Sequence, residues 1–235
     1  MQQYFINEEL ELNQLYRVNK EQEHHILKVL RMKDGDVVRV VSKGKLMLAN
    51  VKSQNKELYF STFKQLFEDH ELPVEINLFV ALIKNDKFDF MLQKVTELGV
   101  TRIIPIESKR CVVKLKDPAK KVSRWSKICL EASEQCKRVF VPQVLKPIKL
   151  KEIEVVENDL NVVAYEDLEN NIEFKKLITT DKNINIIIGP EGGFDDAEIS
   201  LLKDKGFTVA RLGKRILRAE TASIVAISTV SCILE

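Results

Sequence analysis

The chain is poor in the residues that carry metal and redox chemistry. Its 235 residues include 4 cysteines and 3 histidines. Cys111, Cys129, Cys136 and Cys232 form no CxxC pair and have no histidine at ligand spacing, so neither a zinc site nor a disulfide framework is supported. Glycine and proline are also scarce, at 8 and 6 residues, so collagen-like and low-complexity classes are excluded. No apolar run approaches the ~18 residues needed to span a bilayer. The opening MQQYFINEELEL carries acids where a secretory signal needs cations and a hydrophobic stretch. The expectation is a cytoplasmic protein with neither a membrane segment nor a metal.

What is present is a globular composition, with 45% hydrophobic and 31% charged residues. At about 150 residues per domain, the length allows one large domain or a small one joined to a medium one. The formal charge of +2 conceals an asymmetry. Residues 102–151 carry 14 Lys and Arg against 4 Asp and Glu, whereas residues 152–235 carry 9 against 16. So basic a segment suits a phosphate backbone, because each cation that displaces a condensed counterion adds affinity. It equally suits a solvated face with an acidic complement in residues 152–174.

The first seventy residues read as a small β-rich unit. Val37, Val38, Val40 and Val41 follow the turn Asp34-Gly35-Asp36, Ser42-Lys43-Gly44-Lys45 turns the chain into Leu46–Val51, and Leu58–Phe63 is a further strand. One helix is predicted between Asn19 and Arg31, with Ile26, Leu27 and Leu30 on its apolar face. His24 and His25 precede that face and are read as packing or surface residues. Glu68-Asp69-His70-Glu71, closed by Pro73, is the expected linker.

Beyond Pro73 strands alternate with helices, the pattern of an α/β layer with a mainly parallel sheet. Strands are predicted at Ile76–Ile83, Arg102–Ile106, Val139–Val144, Asn161–Tyr165, Ile184–Ile188 and Phe207–Leu212. A helix with Phe88, Met91, Leu92, Val95 and Leu98 on one face ends at Gly99. Further helices are expected near 119–136, 171–178, 196–205 and 219–234. The domains are thus 1–70 and 74–235.

The strongest local signal is INIIIGPEGGF at 184–194, a buried apolar strand ending in a loop where glycines permit close backbone approach and Pro190 fixes a turn. Asp195 and Glu198 have the spacing of a capping box for the next helix. LGKRILRAETA at 212–222 repeats the arrangement of strand, glycine turn and helix. Two such loops at the carboxyl ends of parallel strands can line one pocket. Neither has a phosphate-cradling lysine followed by Ser or Thr, so a nucleoside held mainly by backbone groups suits them better than a triphosphate.

GPEGGF at 189–194 and LGKRILRAETA at 212–222, with TELGV at 97–101, EASEQCKR at 131–138 and HHILKVLRMKDGD at 24–36, closely resemble the RsmE family of SPOUT-class methyltransferases. The resemblance covers nearly the whole chain. It implies a PUA-like RNA-binding β-barrel at the N-terminus and an α/β catalytic domain whose C-terminal loops thread into a trefoil knot. Knots are nearly absent from proteins, and only the resemblance suggests one. It also implies a homodimer, S-adenosylmethionine as cofactor, and methylation of N3 of a uridine in 16S rRNA of the small ribosomal subunit.

By the same resemblance Gly189, Pro190, Glu191 and Gly192 match one cofactor loop, and Leu212, Gly213, Ile216, Leu217 and Arg218 the other, closed by Thr221 and Ala222. Uracil N3 is protonated at neutral pH, so the reaction needs either a general base or cationic donors on O2 and O4. Glu191 and Glu220 are the candidates for the first route, Arg138 and Arg218 for the second. Each also has a purely structural explanation: Arg218 can pair with a neighbouring glutamate, and Glu220 can complement the dipole of the last helix. Lys109, Arg110, Lys114, Lys116, Lys120, Lys121 and Arg124 in the basic segment, and Arg31, are the candidate RNA contacts. One departure is visible: many family members have arginine where this chain has Gln3, which puts a phosphate contact there in doubt. The alternatives are a SPOUT enzyme acting on a ribose 2′-hydroxyl and a non-catalytic RNA-binding assembly factor.

Overall fold

The computed structural model describes residues 1–68, 70–155, 157–166 and 172–235. Within the expected linker Asp69 lies outside the described residues, as does residue 171 of the helix expected near 171–178. The chain divides into two compact units, one of Met1–Glu71 with Ser133–Phe140 and one of Leu72–Ala132 with Val141–Glu235.

The first unit contains β1 (Gln3–Phe5), β2 (Leu15–Arg17), α1 (Lys20–His24), β3 (Val37–Ser42), β4 (Lys45–Gln54) and β5 (Glu57–Leu66). The strands form a sheet in the order β1-β3-β4-β5-β2. Both hairpins turn through two residues of positive φ, Lys43 and Gly44 (48° and 81°) and Asn55 and Lys56 (52° and 65°). That is the geometry whose twist matches paired strands. Tyr4, Ile26, Val38, Val40, Met47 and Phe60 fill the core between sheet and helix. Burial, and then the nearby Glu134 carboxylate, push the Tyr4 hydroxyl above its ordinary range.

Asn19 caps α1 through a reciprocal capping box with Gln22. The helix then widens into a π-helical turn, His25–Val29, in which the Leu30 N–H donates to the His25 carbonyl. Widening alters the angular spacing of side chains, so the expected apolar face reduces to Ile26; Leu27 and Leu30 stand exposed.

The segment 133–140 is bound within this unit by Glu71. One carboxylate oxygen accepts from Nε and Nη2 of Arg138 at 3.0 and 2.6 Å. The other accepts from the backbone N–H groups of Val139 and Phe140.

The second unit runs β6 (Ile76–Ala81), α2 (Asn85–Glu97), β7 (Arg102–Glu107), α3 (Pro118–Cys136, whose last turn belongs to the first unit), β8 (Gln143–Val144), β9 (Ile148–Lys149), β10 (Leu160–Ala164), β11 (Ile184–Ile188), α4 (Asp196–Asp204), β12 (Thr208–Ala210) and α5 (Ala219–Leu234). The sheet order is β12-β10-β11-β6-β7-β8, with β9 also on β7, and every pairing is parallel.

Alternate residues of the central strands enter two separate cores, which is why these strands read as unbroken apolar runs. Ile76, Leu78, Val80, Ile184, Ile186 and Ile188 meet Phe88, Met91, Leu92 and Val95 of α2, Trp125 of α3 and Ala226, Ile227 and Val230 of α5. Phe79, Ala81, Val163 and Ile187 meet Ile199 and Leu202 of α4 on the opposite face. Burying a side chain of the size of Ile187 stabilises by about 1.5–3 kcal/mol.

Three expected elements depart most from their sequence patterns. The strand expected over Val139–Val144 forms only at Gln143–Val144, because Pro142 has no N–H to give the ladder. The helix near 171–178 is a 3-10 turn at Phe174–Lys176. Its upstream residues instead pair with the chain leaving β12, Arg211 N–H to Ile172 and Phe174 N–H to Arg211. That detour ends the strand predicted at Phe207–Leu212 after Ala210.

Candidate active site

Because β10 lies between β11 and β12 and all three are parallel, their carboxyl ends, Ala164, Ile188 and Ala210, share one edge of the sheet. The chain leaving each strand contributes a wall to one cleft, as expected at the carboxyl edge of an open α/β sheet. Gly189, Pro190, Glu191, Gly193 and Phe194 follow β11, and Arg211, Leu212, Gly213, Arg215, Ile216 and Leu217 follow β12. Ala164 ends β10 and Tyr165 and Glu166 follow it, and Ala219 and Ala222 of α5 close the lining.

The first loop is held from within and without. The Gly193 N–H donates to the Pro190 carbonyl at 2.9 Å, with Gly193 at φ +66°. At Gly189 an added Cβ would lie 3.0 Å from the buried Phe194 ring, so this position admits no side chain without moving it. Asp195 caps α4: its carboxylate accepts from the Glu198 N–H while the Glu198 carboxylate accepts from the Asp195 N–H. From outside, Arg110 Nη1 donates to the Gly192 carbonyl at 2.9 Å, and Lys109 Nζ to Asp195 at 2.7 Å. The Lys109 hydrogen bond, and then the cap N–H of Glu198, hold the Asp195 carboxyl below the usual carboxylate range.

The second loop is anchored at its start, where Arg211 Nη2 donates to Glu173 at 3.3 Å. Lys176, and then Lys175, keep that carboxyl below its ordinary range. Further on Ile216 is 81% exposed, an unusual position for an isoleucine in a loop that lines a cleft.

Of the residues expected at the cofactor, Gly189, Pro190, Glu191, Leu212, Gly213, Ile216, Leu217 and Ala222 line the cleft. Gly192 stands against Arg110, and Thr221 is exposed on α5. Arg218 occupies the N-cap of α5 between two lining residues, Leu217 and Ala219; it is exposed, and its side chain makes no hydrogen bond or ion pair among the described residues. Glu220 is not among the lining residues and lies 3.5 Å from Lys87 Nζ. Arg138 belongs to the first unit, where it is 4% exposed and bound by Glu71.

The expected RNA contacts divide similarly. Lys109 and Arg110 hold the first loop, Lys121 donates to Asn85 at 2.9 Å, and Arg124 pairs with Asp89. Lys114, Lys116 and Lys120 are exposed, and Arg31 is exposed in a left-handed backbone conformation at φ 53°. Gln3 is wholly buried: Nε2 donates to the Arg138 carbonyl at 2.7 Å and Oε1 accepts from Arg39 Nε.

The sequence reading did not assign Ala164, Tyr165, Glu166, Arg211 and Arg215 to the cleft. The strand ending at Tyr165 was recognisable, but its place between the two motif-bearing strands was not. Among the described residues, no helix is long and apolar enough to cross a membrane. Among the described residues, no group of three or more His, Cys, Asp and Glu is placed to hold a metal ion.

A parallel α/β unit with glycine loops gathered at one sheet edge, joined to a small β-unit, defines a two-part α/β protein with a loop-lined cleft. The RNA methyltransferase domain family matches residues 70–231, and the RNA methyltransferase PUA domain family matches residues 18–63. The chain is 34% identical to the ribosomal RNA small subunit methyltransferase E of Bacillus subtilis, covering 98% of this chain and 96% of that protein. It is likewise 34% identical to that of Buchnera aphidicola from Acyrthosiphon pisum, covering 95% and 90%. Among solved structures, that of the Neisseria gonorrhoeae enzyme of the same name, bound to S-adenosylmethionine, superposes with a TM-score of 0.91 at 30% identity over 99% of this chain and 98% of that one. The chain therefore belongs to the RsmE family of small-subunit ribosomal RNA methyltransferases.

Proposed function

We propose that the chain transfers a methyl group from S-adenosylmethionine to N3 of a uridine in 16S rRNA. The observation that carries this reading is the convergence of both family loops on one cleft at the carboxyl ends of β10, β11 and β12. The lining suits the cofactor. Ile188, Leu212, Leu217 and Ala222 offer apolar surface for a purine, and the loop backbones offer hydrogen-bonding groups for its edge. Glu166 and Arg215 add a carboxylate and a guanidinium without partners among the described residues, complementary to the charged ends of an amino acid. The cofactor, when bound, supplies an electrophilic methyl on a sulfonium.

Among the residues expected to act on the target, Arg218 is the best placed, as an uncommitted cation beside the lining. Its guanidinium donates to O2 or O4 of the uracil and stabilises the imide anion left when the N3 proton departs. Arg138 serves as a buried strut for the first unit. Because N3 lies on the Watson–Crick edge, the uridine is taken up unpaired. Arg31, Lys114, Lys116 and Lys120 hold the flanking phosphates. The reading includes the family's PUA-like and SPOUT domains at residues 1–70 and 74–235, a trefoil knot in the second, and a homodimer acting in the cytoplasm.

Reverse transcription across small-subunit RNA from cells with and without the gene tests the proposal. A stop at one uridine that vanishes on deletion, with loss of 3-methyluridine from the nucleoside pool, is the expected result. Loss of a ribose-methylated nucleoside instead, or no change, overturns it.

A further inference from the structure

We propose that Lys87 is a positioning residue that joins the two sides of the cofactor cleft by holding one carboxylate from each. Lys87 Nζ lies 3.5 Å from Glu191 Oε1 and 3.5 Å from Glu220 Oε1. Glu191 belongs to the loop after β11 and lines the cleft. Glu220 lies in the first turn of α5, between the lining residues Ala219 and Ala222. A single ammonium thus ties the loop of one motif to the helix that follows the other.

The cation is delivered from a rigid support. Its neighbour Phe88 is fully buried, with its ring 4.5 Å from that of Trp125, and Met91, Leu92 and Val95 fix the rest of α2 in the core. Lys87 is itself only partly exposed, with 27% of its side-chain surface accessible, and Glu220 less so at 13%. Two carboxylates brought to one point in such surroundings repel each other unless a cation stands between them. Glu220 shows the dependence most sharply: its Oε2 is buried and has no hydrogen-bond partner among the described residues, so the Lys87 ammonium is the counter-charge they provide. Asp89, two residues along α2, pairs instead with Arg124 of α3 through Oδ2.

The two glutamates that the sequence offers as candidate bases therefore act as anchors, and Lys87 acts on the reaction through them. This inference rests on the reading that the cleft binds S-adenosylmethionine. Calorimetric titration of the full-length protein with that compound separates the two. Wild-type protein that gives no binding heat overturns the reading of the cleft itself.

With wild-type binding in hand, K87M weakens the cofactor about tenfold, because the Glu191 loop and α5 are no longer held by one cation. K87R retains most of the affinity. In turnover the Lys87→Met change raises KM for the cofactor more than it lowers kcat. E220Q breaks the same tie from the α5 side, so K87M/E220Q binds the cofactor no more weakly than K87M alone. Affinity in K87M equal to wild type, or a double variant that adds a second full loss, overturns the proposal. Should K87M fail to fold, K87Q in the E220Q background replaces it: equal affinities of E220Q and K87Q/E220Q support the clamp, and a tenfold gap between them sinks it.

Discussion

Asn185 donates its side-chain amide to Asn161 Oδ1 at 2.7 Å and accepts from Asn77 Nδ2 at 2.8 Å, so a polar row crosses three adjacent parallel strands at one register. Arg102 extends it to a fourth, donating to Asn77 Oδ1 at 3.1 Å. The row faces the same side of the sheet as Phe79, Val163 and Ile187, near the amino ends of the strands and away from the cleft. Apolar strands of near-identical composition, such as INLFVA and INIII, tolerate a slip of two residues without exposing the wrong face. A slip that left the asparagines unpaired in the interior would not be tolerated.

The Asn185→Ala substitution tests that row. It leaves the Asn77 amide, Asn161 Oδ1 and the Asp159 carboxylate each short of a partner, and costs about 2–3 kcal/mol of stability. Urea unfolding is expected to show a lower midpoint at unchanged slope. Methyl transfer per folded molecule should be unaltered, since the cleft lies at the opposite strand ends. A loss below about 0.5 kcal/mol would reduce the row to an ordinary surface feature.

The Lys109–Asp195 pair makes a prediction in pH. Its hydrogen bond holds the Asp195 carboxyl low and raises the Lys109 ammonium above its ordinary range. A depressed acid stabilises the fold above its unfolded value and loses that contribution as pH falls through the folded one; a raised amine contributes below its unfolded value and loses it as pH rises. Wild type should therefore melt above K109M between about pH 5 and about pH 9, with the gap closing in stronger acid and stronger base. Melting temperatures taken across that range decide it, and a gap that persists at about pH 2 would assign the stabilisation to something other than the pair.

Legibility in the sequence followed the scale of the interaction. The alternating β-unit, the apolar strands and the loop motifs are local patterns, and Asp195 with Glu198 forms the capping box that its spacing predicts. What was not legible depends on strand order. Tyr165 and Glu166 reach the cleft because β10 inserts between β11 and β12, and the alternation of strands and helices does not encode that insertion. Charge was the weakest guide. Lys109, Arg110, Lys121 and Arg124 look like free cations in the chain, yet each meets a partner far away in sequence. Gln3, which reads as a missing phosphate contact, lies in the interior and bonds Arg138.

That division of cations has a measurable consequence for RNA. Lys114 and Lys116 are exposed beside a segment whose apolar residues, Cys111, Val113 and Leu115, pack on the core. Their removal should weaken RNA binding without unfolding the protein. If both neutralise phosphate, K114A/K116A lowers the slope of log affinity against log salt by about 1.4, or roughly 0.7 per contact on single-stranded RNA. The loss should be the same for target and unrelated sequences, because phosphate contacts carry no sequence information. Filter binding over a salt series measures it. An unchanged slope would return the pair to the solvated surface.

Arg218 is the sharpest test of the chemistry. It caps α5 with its backbone but gives that helix no side-chain hydrogen bond, so the guanidinium is not needed to hold the local structure. Removing it should leave cofactor affinity and melting temperature close to wild type. If the guanidinium faces the uracil as the N3 proton leaves, R218A lowers kcat by about a hundredfold or more, the usual loss when one donor to a developing oxyanion is removed. R218K keeps the charge but loses the planar two-donor geometry, and should fall between the two. Single-turnover methyl transfer at saturating cofactor isolates the step. A variant that loses cofactor affinity in proportion to rate would instead place Arg218 in the binding of the cofactor, and the stabilising cation for the target would have to be sought at Arg215, the other uncommitted guanidinium of the same loop.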